Sequence, residues 1–170
     1  MEVLILKRIP VEELDKRKFL FGSIFLLSNR LQALGDQSLM GDDLTLRQWF
    51  LTVMILQFDE APGPTLGEVA KLMGTSHQNV KQLALKLRDK DFLSMDKDAS
   101  DGRMLRLRLT DKSRKFWDGK EEEQNQFIET LFQQTTNEEV QKTASLFQKI
   151  FKTIEDFDAS KETKSKTVQK

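Results

Sequence analysis

The chain has 170 residues, and its 27 basic and 27 acidic side chains give no formal net charge. This length suits one domain, or one compact lobe with a helical extension, and leaves no room for a large catalytic domain. Because cysteine is absent, disulfides, thiolate catalysis, thiol redox sensing and sulfur-ligated metal sites are excluded. No apolar stretch reaches the roughly 20 residues that a membrane span needs, so we expect a soluble cytoplasmic protein without a membrane partner.

The first predicted element is a long helix from Val11 to Leu34. Its apolar residues recur at helical intervals on several rows, which predicts burial on more than one side, and Gly35 is expected to end it. Residues 35–43 are predicted to form a turn-rich segment. Thr45 can then cap a second helix, which the proline-containing cluster 61–64 terminates.

Two short helices are predicted next. Thr65 and Glu68 have the spacing of a capping box, which starts a helix that ends near Met73. Gly74 supplies a turn, and Ser76 can cap a fourth helix that continues to about residue 90. Two short helices joined by a glycine-containing turn are typical of a helix-turn-helix motif.

A period of two replaces the helical period after this motif. Leu105, Leu107 and Leu109 alternate with Arg106 and Arg108, which predicts a strand with one core face and one outward cationic face. Residues 93–95 can form the preceding strand, and a loop rich in Asp, Ser and Gly joins the two. The pattern predicts a β-hairpin, or wing.

Helices return at the end of the chain. Thr110 can cap a fifth helix, predicted to continue to Phe132, and Asn137 opens a sixth with an apolar stripe that ends at Phe157. From Asp158 onward we expect no regular structure, because apolar periodicity stops. The predicted fold is therefore mainly α with a small hairpin: a helical dimerisation region at 1–44, a winged helix-turn-helix lobe at 45–115, further dimerisation helices at 116–157 and a disordered tail at 158–170.

Positive charge is concentrated in one window of this neutral chain. Residues 75–115 contain eleven basic and six acidic side chains, a net charge of +5, so the remainder of the chain carries −5. Such a surface attracts a polyanion through counterion release and steering. Charge alone is equally compatible with an ordinary solvated surface.

The order of the elements favours double-stranded DNA as the partner. A helix-turn-helix places its second helix in the major groove, where Gln and Asn can pair with adenine and Lys can reach guanine or phosphate. The polar residues in the first turns of that helix are the candidate DNA contacts; the alternative is an ordinary capped and exposed helix. These candidates are Ser76, His77, Gln78, Asn79, Lys81, Gln82 and Lys86.

The hairpin resembles the wing of the multiple-antibiotic-resistance regulator (MarR) family. The resemblance is carried by Asp98-Ala99-Ser100-Asp101-Gly102-Arg103, followed by alternating leucines and by Leu109-Thr110. It covers about residues 11–157 in element order and 45–115 in sequence pattern. It implies that Arg103 enters the minor groove at the wing tip, that Asp101 braces it by an ion pair, and that Arg106 belongs to the same DNA-binding wing. Three positions depart from the pattern: Ser100 replaces a common basic residue, and Asp91 and Ser113 replace common glycines.

The resemblance also implies partners and regulation. Family members pair through their terminal helices, so we expect a homodimeric repressor that binds an inverted-repeat operator. Many release DNA when a small anionic aromatic compound binds, and five residues could line such a cleft or could simply pack. These are Phe25, Arg30, Trp49, Phe50 and Trp117.

Other functions are less compatible with the residues. There is no His/Ser/Asp set, no phosphate-binding glycine loop and no carboxylate cluster suited to acid-base catalysis, so no enzyme is expected. The only histidine, His77, lies on the candidate DNA-reading helix, so we expect no metal site and no cofactor. A winged helix that binds another protein instead of DNA remains the alternative.

Overall fold

A computed structural model describes residues 15–58 and 62–168, with side chains described up to residue 160. The helices are α1 (Lys16–Ser38), α2 (Leu46–Leu56), α3 (Leu66–Leu72), α4 (His77–Asp89), α5 (Asp111–Gly119), α6 (Glu121–Phe132) and α7 (Asn137–Val168), and the strands are β1 (Leu93–Lys97) and β2 (Leu105–Leu109). A short 3-10 turn, Met40–Asp42, separates α1 from α2. The predicted fold class, mainly α with one hairpin, is confirmed. The chain divides into two compact units, one that ends at Asp118 and one that begins at Gly119.

Helices α2, α3 and α4 start at the predicted caps. At α2, Gln48 N–H donates to the Thr45 hydroxyl and Thr45 N–H donates to the Gln48 amide oxygen. Thr65 and Glu68 form the same capping box at α3, and the Ser76 hydroxyl accepts from a first-turn amide of α4. These caps satisfy backbone groups that the first helical turn leaves unpaired.

The hydrophobic core of the first unit lies between α2, α3, α4 and the hairpin. Each fully buried aliphatic side chain contributes about 1.5–3 kcal/mol by leaving water, so this layer fixes the helix-turn-helix against the wing. Its fully buried members include Leu51, Val69, Val80, Leu87, Leu93 and Leu107.

The segment 62–65 before α3, called the connector below, pairs with β2 through an isolated bridge. β1 and β2 are antiparallel, with Leu93 opposite Leu109. On the other edge of β2, Leu107 N–H donates to Pro64 O over 2.8 Å, and Thr65 forms an isolated bridge with Arg106. Gly63 has φ +85°, and a Cβ at this position would lie 2.5 Å from Leu107 O. The sequence predicted a helix-breaking turn here but not this pairing.

Gly35 does not end the first helix as predicted. α1 continues to Ser38, and Gly35 is buried inside it, where a Cβ would lie 2.6 Å from the side chain of Leu46. The glycine therefore allows α1 to approach α2 closely instead of terminating it. The predicted start, 11–14, lies outside the described residues.

The end of the chain differs from the prediction in two ways. The predicted fifth helix is two helices, because the chain breaks at Lys120 after Gly119, a poor helix former. The segment after Asp158 is helical to Val168 where no regular structure was expected, because Ala, Lys and Glu extend an existing helix at little cost without an apolar stripe. No helix within the described ranges is long and apolar enough to cross a membrane.

Candidate nucleic-acid interface

α4 is held by its apolar face and presents a polar face. Val80, Ala84 and Leu87 are buried on one side. On the other side the candidate contacts divide into two sets, an exposed one and a half-buried one. The exposed side chains are Ser76, His77, Gln78, Gln82 and Lys86, and the half-buried ones are Asn79 and Lys81.

Asn79 is less available than its neighbours on α4. Its side-chain amide donates to the Thr75 hydroxyl over 2.9 Å, and its backbone N–H donates to the Ser76 hydroxyl over 3.1 Å. Asn79 therefore helps to close the turn of the helix-turn-helix motif. Gln78 and Gln82 make no such bond within the described part of the chain, so their amides are open to an external partner.

The wing loop is folded around the carboxylate of Asp98, whose side chain is only 4% exposed. One oxygen accepts from the backbone N–H groups of Ser100 (2.8 Å) and Asp101 (2.9 Å) and from the Ser100 hydroxyl. The other accepts from Arg106 Nε over 2.6 Å. The hydroxyl of Ser100 is the largest cause that lowers the pKa of Asp98 well below its usual range, followed by Asp101 N–H and Arg106. The two carboxylate oxygens of Asp98 thus join the wing loop to Arg106.

Arg103 extends from the wing tip with 92% of its side chain exposed. Its Nε and Nη2 each donate to a carboxylate oxygen of Asp101 over 3.1 Å, and its backbone N–H donates over 3.0 Å. The ion pair that the resemblance implied is thus present, and the guanidinium of Arg103 lowers the pKa of Asp101. The arrangement orients an arginine at the wing tip while leaving most of its surface in solvent.

Arg106 does not belong to an outward cationic face. Its side chain is only 19% exposed, because it bends back onto the connector. Besides the bond to Asp98, its Nη1 donates to Gly63 O over 2.9 Å and lies 3.5 Å from a carboxylate oxygen of Glu68. Sequence alternation predicted that Arg106 lies on the solvent side of β2, but its guanidinium is engaged by the wing loop, the connector and α3.

Sequence reasoning missed the organising role of Asp98. The signal was available, since an aspartate two residues before a serine at a loop is typical of a side chain that bonds the backbone ahead of it. The carbonyl partner at Gly63 had no comparable signal, because it depends on how the connector packs.

The basic window contains two kinds of cation. Most of its arginines bond to neighbours; Arg108 Nε, for example, donates to Pro62 O over 2.9 Å. The side chains of five other cations make no hydrogen bond or ion pair with any described residue, and they are available to an external polyanion. These are Lys81, Lys86, Lys97, Arg114 and Lys115.

Two further features bear on ligands. The parts of the chain that the structure describes hold no group of three His, Asp or Glu side chains that could bind a metal. A surface pocket of about 320 Å³ lies between the end of α2, the connector, β2 and α5, and it contains none of the five residues suggested by the sequence. Its lining is Ile55, Leu56, Phe58, Pro62, Gly63, Pro64, Leu107, Arg108, Leu109 and Arg114.

Comparison with known proteins gives matches in structure only. No protein-family model and no curated protein sequence matches the chain. Among solved structures, a MarR protein from Peptoclostridium difficile has a TM-score of 0.72 and 24% identity over 88% of this chain and 94% of that one. A MarR/EmrR family regulator from Acinetobacter sp. ADP1 has a TM-score of 0.70 and 14% identity, with 84% and 99% covered. MepR from S. aureus, in a complex with DNA, has a TM-score of 0.68 and 22% identity, with 80% and 96% covered. The chain has the MarR fold.

The two positions at which the MarR pattern often carries glycine differ in their structural consequence. Asp91, directly after α4, has φ +61°, a left-handed conformation that glycine adopts freely and aspartate tolerates better than most residues. Ser113 is fully buried in α5, and its hydroxyl has no hydrogen-bond partner among the described residues. Asp91 thus occupies a backbone conformation that favours glycine, whereas Ser113 buries a hydroxyl without a partner among the described residues.

Proposed function

We propose that the chain is a sequence-specific DNA-binding transcription regulator. The observation that carries the proposal is Arg103, which is oriented by Asp101 and almost fully exposed at the tip of a wing. The same core that supports this wing also fixes α4. MepR, which has the same fold, has been solved in a complex with DNA. In our proposal α4 occupies the major groove and the wing follows the adjacent minor groove.

The side chains of α4 provide the base contacts in this arrangement. Gln78 and Gln82 carry amides that can donate to and accept from adenine, and Lys86 can reach guanine or phosphate. Ser76 and His77 lie at the helix start, where backbone N–H groups favour a phosphate. Arg103 supplies the minor-groove contact, where narrow A/T-rich DNA attracts a guanidinium.

We propose that the functional form is a homodimer. No side chain from Glu121 to Ser160 is buried, although α7 carries a stripe of large apolar residues that includes Phe151 (64% exposed) and Phe157 (63% exposed). α1 also exposes apolar side chains, such as Phe21 and Phe25. Apolar surfaces of this extent are typical of protein interfaces, and a two-fold dimer would match an inverted-repeat operator.

We propose that the protein is a repressor that a small anionic aromatic compound releases from DNA. The pocket beside β2 supports a ligand of this class better than the cleft suggested by the sequence, because apolar walls adjoin Arg108 and the unpaired Arg114. Benzoate is a suitable probe: it should weaken DNA binding of the wild type but not of Arg114→Met. Equal release of both proteins, or of neither, would remove this ligand proposal.

Footprinting on the DNA that flanks the gene tests the main proposal. We expect two protected half-sites about 34 Å apart centre to centre, with affinity that falls steeply as salt increases. A winged helix that binds another protein would protect no discrete site and would tolerate salt. That result would overturn the proposal in favour of a winged helix that binds another protein.

A further inference from the structure

The wing and the helix-turn-helix are connected by a cluster of charged side chains at the base of the wing. Arg106 is the centre of this cluster and bonds to three separate segments of the chain: Asp98 in the wing loop, Gly63 in the connector and Glu68 in α3. Glu68 also caps α3 through Thr65, with 2.7 and 2.8 Å bonds to its N–H and hydroxyl.

We propose that Arg106 is a positioning residue that sets the wing tip relative to α4, and that it acts on DNA binding through Arg103 without touching DNA. This inference rests on the proposed DNA-binding function. Its geometric basis is a continuous chain of hydrogen bonds. One oxygen of Asp98 accepts from Arg106 Nε, and the other accepts from the backbone amides of the wing loop. The amide of Asp101 is one of those donors, and Asp101 in turn holds Arg103.

The surroundings of Arg106 separate this role from direct contact. Its side chain is 19% exposed, whereas that of Arg103 is 92% exposed. Two carboxylates, Asp98 and Glu68, face its guanidinium, and they would repel an approaching phosphate. Its Nε and Nη1 already donate to a carboxylate and a carbonyl, and the low exposure of the side chain limits contact of the remaining N–H groups with an outside partner.

Arg108 provides a matched control on the same strand. It is also an arginine that bonds to the connector, through Nε to Pro62 O over 2.9 Å, but no carboxylate pairs with it among the described residues. Replacement of either arginine by methionine removes one positive charge and one connector bond. Only the Arg106 replacement also removes the link to the wing loop.

A double-mutant cycle on the footprinted operator tests the proposal. We expect Arg103→Met and Arg106→Met each to weaken binding about tenfold and to reduce the magnitude of the negative slope of log affinity against log salt by about one. In the Arg106→Met background, Arg103→Met should cost less than about twofold more, because the displaced wing has already lost that contact. With Arg108→Met as the background, the loss from Arg103→Met should stay about tenfold.

Two results would overturn the proposal. Additive losses, with the magnitude of the salt slope smaller by about two in the double variant, would show that Arg106 contacts phosphate independently. Wild-type binding by Arg106→Met would show that the cluster does not set the wing. If Arg106→Met fails to fold, as judged by circular dichroism, Asp98→Asn takes its place in the cycle, since its amide oxygen can still accept from the loop amides.

A measurement without DNA separates this inference from the proposed function. Hydrogen exchange at Leu107 N–H reports its bond to Pro64 O, and exchange at Ser100 N–H reports the wing loop. Arg106→Met should accelerate exchange at both amides at least tenfold, whereas Arg108→Met should leave Ser100 unchanged. Unchanged exchange at both sites in Arg106→Met would reject the positioning role, whether or not the wild type binds DNA.

Discussion

Asp101 accepts two 3.1 Å hydrogen bonds from the guanidinium of Arg103, while 92% of the Arg103 side chain remains exposed. An exposed ion pair of this kind contributes little to stability, because water screens it and both side chains lose freedom. Its geometric effect is larger, since the planar guanidinium is oriented before any partner arrives.

The first prediction concerns this pair. Arg103→Ala should lower DNA affinity about tenfold and reduce the magnitude of the salt slope by about one, because one cationic contact is lost. Asp101→Asn should have a smaller effect, since the amide oxygen can still accept from the arginine. Fluorescence anisotropy over a salt series measures both effects. Lys152→Ala, an exposed cation of α7, should bind as the wild type, and an equal loss in that variant would make the effect one of general charge.

The second prediction concerns Asp91 and its φ of +61°. Asp91→Val should lower the free energy of unfolding by about 1–2 kcal/mol, because a β-branched side chain is strained in the left-handed region. Asp91→Asn should change it by less than about 0.5 kcal/mol, since asparagine tolerates that conformation equally well. Urea denaturation measures both, and equal stability of the two variants would contradict a backbone explanation.

The third prediction contrasts two buried hydroxyl groups. The Ser113 hydroxyl has no hydrogen-bond partner among the described residues. The Thr52 hydroxyl, by contrast, donates to Trp49 O over 2.7 Å. Ser113→Ala should therefore leave the protein as stable or raise the free energy of unfolding by about 1 kcal/mol, while Thr52→Val should lower it by about 1 kcal/mol. A clear loss of stability in Ser113→Ala would mean that its hydroxyl has a bound partner such as an ordered water.

The fourth prediction concerns acid stability. The pKa of Asp98 is lowered by the Ser100 hydroxyl above all, and that of Glu68 is lowered chiefly by Thr65 N–H. A carboxyl group with a lowered folded-state pKa stabilises the fold fully above its unfolded value, near pH 4, and loses that effect as pH falls through the folded value. The free energy of unfolding should thus decline below about pH 4 and decline less steeply in Asp98→Asn. Asp96→Asn, on the same wing but outside the cluster, is the control. An identical acid profile for Asp98→Asn and the wild type would show that protonation of Asp98 does not contribute to the loss of stability.

The fifth prediction concerns the apolar stripe of α7. If α7 contributes to a homodimer, Phe151→Glu should shift the protein from dimer to monomer in sedimentation velocity, because a charge would be buried at the interface. The monomer should also bind the operator more weakly, since it engages one half-site. Lys152→Glu, on the next residue, should remain dimeric. A wild type that is monomeric at high concentration would contradict the dimer proposal.

Capping side chains close in sequence were enough to predict where α2, α3 and α4 start. Thr45, Thr65 and Ser76 cap within one helical turn, so their side chains and the amides they bind are close in sequence. The same holds for the alternation of Leu105, Leu107 and Leu109, which specifies one buried face of a strand. The amphipathic α4 and the hairpin were therefore predictable from residues that are neighbours along the chain.

Tertiary packing determined what sequence proximity could not. Gly35 has the residue type of a helix terminator, but the close approach of Leu46 makes it an interior position of α1. Arg106 has the spacing of a solvent-facing strand residue, but its partner carbonyl, Gly63 O, lies 43 positions away along the chain and reaches it only when the connector pairs with β2. Between Thr45 and Leu109 the sequence by itself determined the helices, the turn and the wing, because those choices depend on local hydrogen bonds and periodic burial. Only the tertiary structure decided which cations remain exposed, because their partners are brought together by packing between distant segments.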